Sequence, residues 1–338
     1  MNQTENHRTG RFVSVSVLLI VLIVVMFFIA LATGVVSISP LGVIQTIFGQ
    51  GTDRQELVLL DFRLPRIVLA LLVGAGLAVS GAILQGVTQN ELAEPGILGI
   101  NTGAGFAVVL FIFFIQDSLN GTFSIFMMPL FALLGALLAA FLVYTLAWKN
   151  GVNPIRLVLV GIGINAGFSA ALIILQLKMN PQDFRQVTVW LSGDIWSASW
   201  PFVLSLLPWI LILIPLALVK ANALNVLNLG DDIAGGLGSK VEGSRLVLLL
   251  IAVALAGASV AAGGAIAFLG LVVPHLARKI IGPMHQYTIP ISALIGALLL
   301  MVADMIGKNV LAPMEIPVGV VVSILSAPYF IYLLIKAN

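Results

Sequence analysis

The 338-residue chain has no cysteine, three histidines and only 9% charged side chains. Without cysteine there is no disulfide framework, thiolate metal site or thiol nucleophile, which excludes a disulfide-rich secreted protein. Soluble chains carry about 25% charged residues, and a mean hydropathy of +1.14 cannot be hidden inside one water-soluble core. A net charge of +2 is too small to favour nucleic acid as a partner. His7, His275 and His285 form no His-Glu-x-x-His pattern, and no Gly-x-Ser-x-Gly elbow or Gly-x-x-x-x-Gly-Lys-[Ser/Thr] phosphate loop occurs. The chain is therefore expected to hold no catalytic residue, metal or cofactor of its own. If ATP drives it, another polypeptide hydrolyses the ATP.

What the sequence has in abundance is apolar length. With 60% hydrophobic residues and about 20 residues per span, it reads as an all-α polytopic membrane protein of about ten helices. Apolar runs place the spans near 13–36, 67–86, 96–115, 125–147, 157–177, 200–219, 245–262, 264–281, 288–307 and 316–335. Residues 246–277 carry no charge, so Ala261-Ala262-Gly263-Gly264 is read as the turn between two spans. The first run follows Arg8 and Arg11 and ends beside Ala30-Leu31-Ala32, which mimics a signal-peptidase site. It is longer than the 7–15 residues, roughly, of a cleavable signal and is expected to be retained as a span. All spans must be helical, because backbone groups in lipid need partners within their own segment.

Ten spans put both termini on one side. With the termini inside, ten of the 16 Lys and Arg lie inside, and Arg54, Arg63, Arg66, Lys178, Arg185 and Lys308 lie outside. Glycines crowd the second span (Gly74, Gly76, Gly81) and the fifth (Gly161, Gly163, Gly167), where small residues allow close helix packing. Ser80-Gly81-Ala82-Ile83 is faintly echoed by Gly263-Gly264-Ala265-Ile266, as an inverted five-helix repeat would require.

Three polar segments stand out. The cytosolic stretch Lys220–Arg245, with its core at 222–244, places Leu229, Ile233 and Leu237 at i, i+4 and i+8 on one helical face, with Asp231 and Asp232 off it. Such a helix is what a soluble partner could grip, although one merely lying on the membrane would look the same. Gln89–Gly96 brings Glu91, Glu94 and Pro95 to the start of the third span. Irregular backbone there must line a cavity, be buried in protein or form an interfacial turn. Arg63 and Arg66 sit outside, where they are disfavoured; they pair with Asp53, Glu56 or Asp61, or await carboxylates on another protein. Within the spans, Asp304 and His275 lie near span ends and read as structural. No convincing midplane carboxylate supports an ion-coupled carrier.

Arg63-Leu64-Pro65-Arg66, Leu92-Ala93-Glu94-Pro95-Gly96-Ile97-Leu98-Gly99, Trp190-Leu191-Ser192-Gly193, Gly270-Leu271-Val272-Val273-Pro274-His275 and Glu315-Ile316-Pro317-Val318-Gly319 resemble, in order, the FecCD-type permeases. These are membrane subunits of ABC importers for ferric siderophores, haem and vitamin B12. The resemblance implies a single type II importer permease domain in a bacterial cytoplasmic membrane. It implies a dimer with an identical or paralogous subunit, the fifth and tenth helices lining the pathway. A cytosolic ATPase dimer, which uses the ATP, docks below, and an extracytoplasmic substrate-binding protein docks above. Carried over, ATPase coupling falls on Leu229, Asp231, Asp232, Ile233, Leu237 and Gly238, and binding-protein docking on Arg63, Arg66 and Lys308. The cytosolic gate falls on Asn90, Glu91 and Leu92 with Pro154 and Ile155. At Glu91 the chain departs from the family, which often has proline there. Ferric siderophore is the favoured cargo on family membership. The alternatives are an ion-coupled secondary transporter and, more remotely, a membrane enzyme using His275 and Asp304.

Overall fold

A computed structural model describes residues 3–34, 38–116, 121–149, 151, 153–195, 198–238 and 240–336. Among them the regular backbone is helical, with no strand. The chain begins with α1 (Gln3–Ala32), then the short α2 (Pro40–Ile47) and α3 (Asp53–Glu56). A π-helical stretch, Leu57–Arg63, runs into α4 (Leu64–Thr88). Next come α5 (Ile100–Phe114), α6 (Gly121–Ala147), α7 (Pro154–Gln176), α8 (Pro181–Leu191) and α9 (Trp200–Val219). The second half holds α10 (Ala221–Leu227), α11 (Asp231–Gly236), α12 (Val241–Gly263), α13 (Leu269–Ile281), α14 (His285–Asn309) and α15 (Val318–Lys336).

Among the described residues, seven helices are long and apolar enough to cross a membrane, and shorter apolar helices occupy 100–114 and 318–332. The outer helices turn apolar side chains outward, as Val17, Leu18, Val21 and Val25 of α1 do. That arrangement is stable in lipid and not in water. By contrast, α4 is buried along almost its whole length. Its glycines explain how: a Cβ on Gly74 would collide with the Gly296 backbone of α14, and one on Gly81 with the Gly270 backbone of α13. Here helix axes approach to backbone contact, and α4 is the hub around which α12, α13 and α14 pack.

Two helices are shorter than the apolar runs 96–115 and 264–281 led us to expect. At about 1.5 Å per residue, the 15 residues of α5 and 13 of α13 fall short of a hydrocarbon core. Each is preceded instead by irregular backbone that protein side chains satisfy, as membrane depth demands. Before α5 Thr102 Oγ1 donates to the Gly99 carbonyl at 3.0 Å, and before α13 Asn101 Nδ2 donates to the Ile266 carbonyl at 3.3 Å. The turn expected at Ala261–Gly264 begins at its last residue: α12 stays helical through Gly263, and Gly264 turns at φ 73°. The first helix ends at Ala32, short of the expected 36, and residues 35–37 lie outside the described residues.

Helix pairing follows the pattern a five-helix repeat predicts, with α4 on α14 matched by α12 on α6, and α5 on α6 matched by α13 on α14. The echo seen in sequence is not its signature. Ser80–Ile83 lies inside α4, whereas Gly263–Ile266 straddles the end of α12. The corresponding feature is a left-handed residue before each short helix, Gly99 (φ 77°) and Phe268 (φ 64°). In backbone terms this matches; in residue type it does not.

Candidate functional site

The polar residues singled out in the sequence gather at the two ends of the bundle. At the end the charge bias places inside, α4 stops because Gln89 adopts a left-handed conformation (φ 50°). Gln89 Nε2 then donates to the Leu227 carbonyl at 2.8 Å, tying this connection to α10. Asn90 Oδ1 accepts the Leu92 N–H at 2.9 Å and shapes the turn. Glu91, two-thirds exposed, reaches across to α13: its carboxylate is 3.2 Å from His275 Nδ1 and 3.8 Å from Arg278 Nη2. Arg278 also donates to Gln85 Oε1 at 2.7 Å. Thus the Glu91 carboxylate meets the His275 ring and the Arg278 guanidinium of α13. Farther along the same connection, burial raises the Glu94 carboxyl to about 7, a shift opposed by the hydrogen bond it accepts from the Phe268 N–H.

The other half of the expected gate begins α7. Asn153 caps the helix, its Oδ1 accepting N–H groups of Ile155 and Arg156 at 2.9 and 3.3 Å, and Pro154 takes the position where a missing N–H costs nothing. Ile155 is 72% exposed. The connection that carries Asn90, Glu91 and Leu92 meets α7 farther along both segments, where Gly161 packs on Leu98 and Gly99 lies against Asn165. Nearby, Lys279 Nζ sits 5.4 and 5.2 Å from the ring centres of Tyr329 and Tyr332, and the His275 and Tyr329 rings are 5.9 Å apart. These contacts fasten α13 to α15.

The stretch 222–244, expected to couple to an ATPase, holds two short helices rather than the single amphipathic one implied by Leu229, Ile233 and Leu237. Leu224 and Leu227 bury α10, and Asn225 Oδ1 accepts the His285 N–H at 2.9 Å. Gly230 (φ 97°) then turns the chain into α11, and Gly238 (φ 78°) turns it out. Leu229 and Leu237 flank α11 and Ile233 lies within it, at 54, 65 and 56% exposure. Asp231, Asp232 and Gly238 are exposed too.

At the opposite end the basic residues are engaged within the chain. Arg63 Nη1 donates to the Leu31 carbonyl at 2.5 Å and Lys308 Nζ to the Ala30 carbonyl at 3.3 Å. The last carbonyls of α1 have no helical partner and carry partial negative charge, so cations here are stabilising. Arg66 bridges Asp304 at 2.7 Å and Glu315 at 2.8 Å. Its partners are therefore neither Asp53, Glu56 nor Asp61, as proximity in sequence had offered, but residues from the far end of the chain. Asp304, read as reaching the interface, is 3% exposed.

Short helices preceded by irregular backbone, on one multi-pass chain, are features that transport subunits use. The sequence matches the FecCD transport family over residues 22–336. The chain belongs to this family. It is 60% identical to the iron(3+)-hydroxamate import system permease protein FhuG of Bacillus subtilis, covering 98% of this chain and 99% of that one. It is 40% identical to the hemin transport system permease protein HmuU of Yersinia pestis, over 94% of each. A solved inward-facing metal-chelate type ABC transporter chain superposes with a TM-score of 0.84 at 29% identity, covering 96% of this chain and 99% of that one. This FecCD member is thus a permease subunit of an ABC importer, and a separate subunit hydrolyses the ATP. Membership implies ATPase and substrate-binding partners and a dimeric arrangement.

Sequence reasoning missed several participants. The Arg66–Asp304 pair joins residues 238 apart, which spacing cannot reveal. The Glu91–His275 contact has the same cause. Arg245 was counted only as an internal charge, although Glu242 and Arg245 stand at i, i+3, a legible pairing signal. Asn180-Pro181 likewise announces α8 as a cap followed by a first-turn proline.

Proposed function

We propose that this permease imports ferric hydroxamate siderophores across a bacterial cytoplasmic membrane, with both termini cytoplasmic. The 60% identity to an iron(3+)-hydroxamate permease over nearly both full lengths carries this reading of the cargo. A second FecCD-type subunit packs along α7 and α15, whose exposed faces include Ile162, Gly163, Ala166 and Gly167 on one helix and Val320 and Ile324 on the other. The ATPase dimer grips Leu229, Ile233 and Leu237, three large apolar side chains left in water unless a partner covers them. Asp231, Asp232 and Gly238 shape that surface.

Closure of the ATPases on ATP binding displaces α11 and opens the outer mouth to the docked binding protein; after hydrolysis Asn90, Glu91 and Leu92 part from Pro154 and Ile155 and cargo leaves inward. The substrate-binding protein docks at the other end on the positive potential of Arg63, Arg66 and Lys308. Its carboxylates compete with Asp304 and Glu315 for Arg66. A pathway without a tight binding site favours release over retention of cargo.

The test is uptake of radiolabelled ferric hydroxamate by proteoliposomes containing the permease dimer, ATPase and binding protein. Accumulation should require all components and ATP, and Ile233→Asp or Leu237→Asp should abolish it while membrane insertion persists. Uptake by the permease alone down an ion gradient would overturn the proposal.

A further inference from the structure

Arg245 lies in the second turn of α12, and its side chain is 1% exposed. Its guanidinium forks: Nη2 meets Asp231 Oδ1 at 2.5 Å and Nη1 meets Glu242 Oε1 at 3.0 Å. The first carboxylate belongs to α11. That helix has six residues and buries only Ala234, so it has almost no apolar anchorage of its own. The second carboxylate lies against the connection that leads into α7, since a Cβ on Gly151 would stand 3.1 Å from Glu242 Oε1. One buried cation therefore touches the coupling segment, the start of a central helix and, through Glu242, the approach to Pro154 and Ile155.

We propose that Arg245 is the joint that passes movement of α11 to α12 and to the gate at Ile155. Arg245 is a positioning residue and touches no cargo. The inference rests on the reading of α11 as the ATPase contact and names the part that transmits the push. A buried guanidinium that loses Asp231 keeps only Glu242 as compensation, which is unfavourable, so displacing Asp231 draws Arg245 with it. The fork matters as well as the charge. Arginine holds two carboxylates with donors fixed in one plane, whereas a lysine ammonium is a point charge on a flexible stem. A weakly anchored lever on a stiff pivot moves as one piece.

The natural absence of cysteine permits a direct test, because Ile155→Cys is then the only thiol of the chain. The complete transporter, purified with its ATPase, is labelled with a thiol reagent with and without ATP. ATP should change the labelling rate. In Arg245→Lys and Asp231→Asn that ATP-dependent change should shrink by about 2- to 30-fold, the range expected for residues carrying coupling between sites. Asp231→Glu should restore it. A purely structural defect would alter labelling equally with and without ATP and would not be rescued.

Co-purification of the ATPase with Ile233→Asp separates the two ideas. Undiminished co-purification overturns the docking reading and the joint with it. Lost co-purification together with an unchanged labelling ratio in Arg245→Lys and Asp231→Asn overturns the joint alone, as does an unsubstituted Arg245 background in which Ile155→Cys ignores ATP.

Discussion

Arg66 Nε and Nη2 lie 2.9 and 2.7 Å from Asp304 Oδ1, closing the start of α4 against the last turns of α14. Both side chains are largely buried, and removing Asp304 leaves Arg66 only the partly exposed Glu315. Asp304→Ala should destabilise the fold by about 3–5 kcal/mol. Thermal unfolding in detergent measures this, with the double change Arg66→Met and Asp304→Leu expected to recover much of the loss.

Glu315, 29% exposed at its side chain, holds the other side of Arg66. Glu315→Gln should free positive potential for the binding protein and tighten docking at low salt, with the gain fading as salt rises. Arg63→Gln should weaken docking and also uncap α1. Titration of the binding protein against proteoliposomes reports the first effect, and unfolding temperature the second.

The Glu91 carboxylate is mostly in water, so its pair with His275 adds about 0–1 kcal/mol at most. Glu91→Gln should leave the unfolding temperature almost unchanged. Its effect should appear in the gate instead, as faster leakage of cargo from loaded proteoliposomes without ATP. Equal leak rates would remove Glu91 from the gate.

Glycines that look alike in sequence should behave differently. Gly81→Ala drives a methyl group into the Gly270 backbone and should cost about 1–3 kcal/mol or more. Gly163→Ala meets nothing within 4 Å and should leave the subunit fold intact. Yield and unfolding temperature of the two variants in detergent provide the comparison.

The Glu94 carboxyl is raised from 4.5 to about 7 by burial. The folded state thus binds a proton that the unfolded state has released. Stability from this group is present below about pH 4.5 and is lost as pH rises through 7. Glu94→Gln, which stays neutral, should flatten that part of the profile measured by unfolding at successive pH values.

Much of the architecture was legible because lipid imposes a length and a single kind of secondary structure. The bounds of α9 match the apolar run 200–219 at both ends. The runs leading into α5 and α13 misled for a physical reason. Hydropathy records what a backbone is surrounded by, not whether it is helical, and side chains such as Thr102 and Asn101 make irregular backbone acceptable at depth. At the candidate sites, chemistry was readable and partners were not. The spacing of Leu229, Ile233 and Leu237 marked the stretch, but its division into α10 and α11, with Leu229 between them, follows from Gly230 and from Asn225 binding α14.

By itself, the sequence determined that the chain crosses a membrane many times, carries no phosphate loop or thiol, and shares the motifs of the FecCD family. These are properties of composition and local order, which no packing can undo. Only the tertiary structure decided that Arg63 and Lys308 cap α1, that Arg66 answers Asp304, and that Arg245 binds Asp231. A charge removed from water takes whichever opposite charge the packed helices bring within reach, and distance along the chain has no say in that choice.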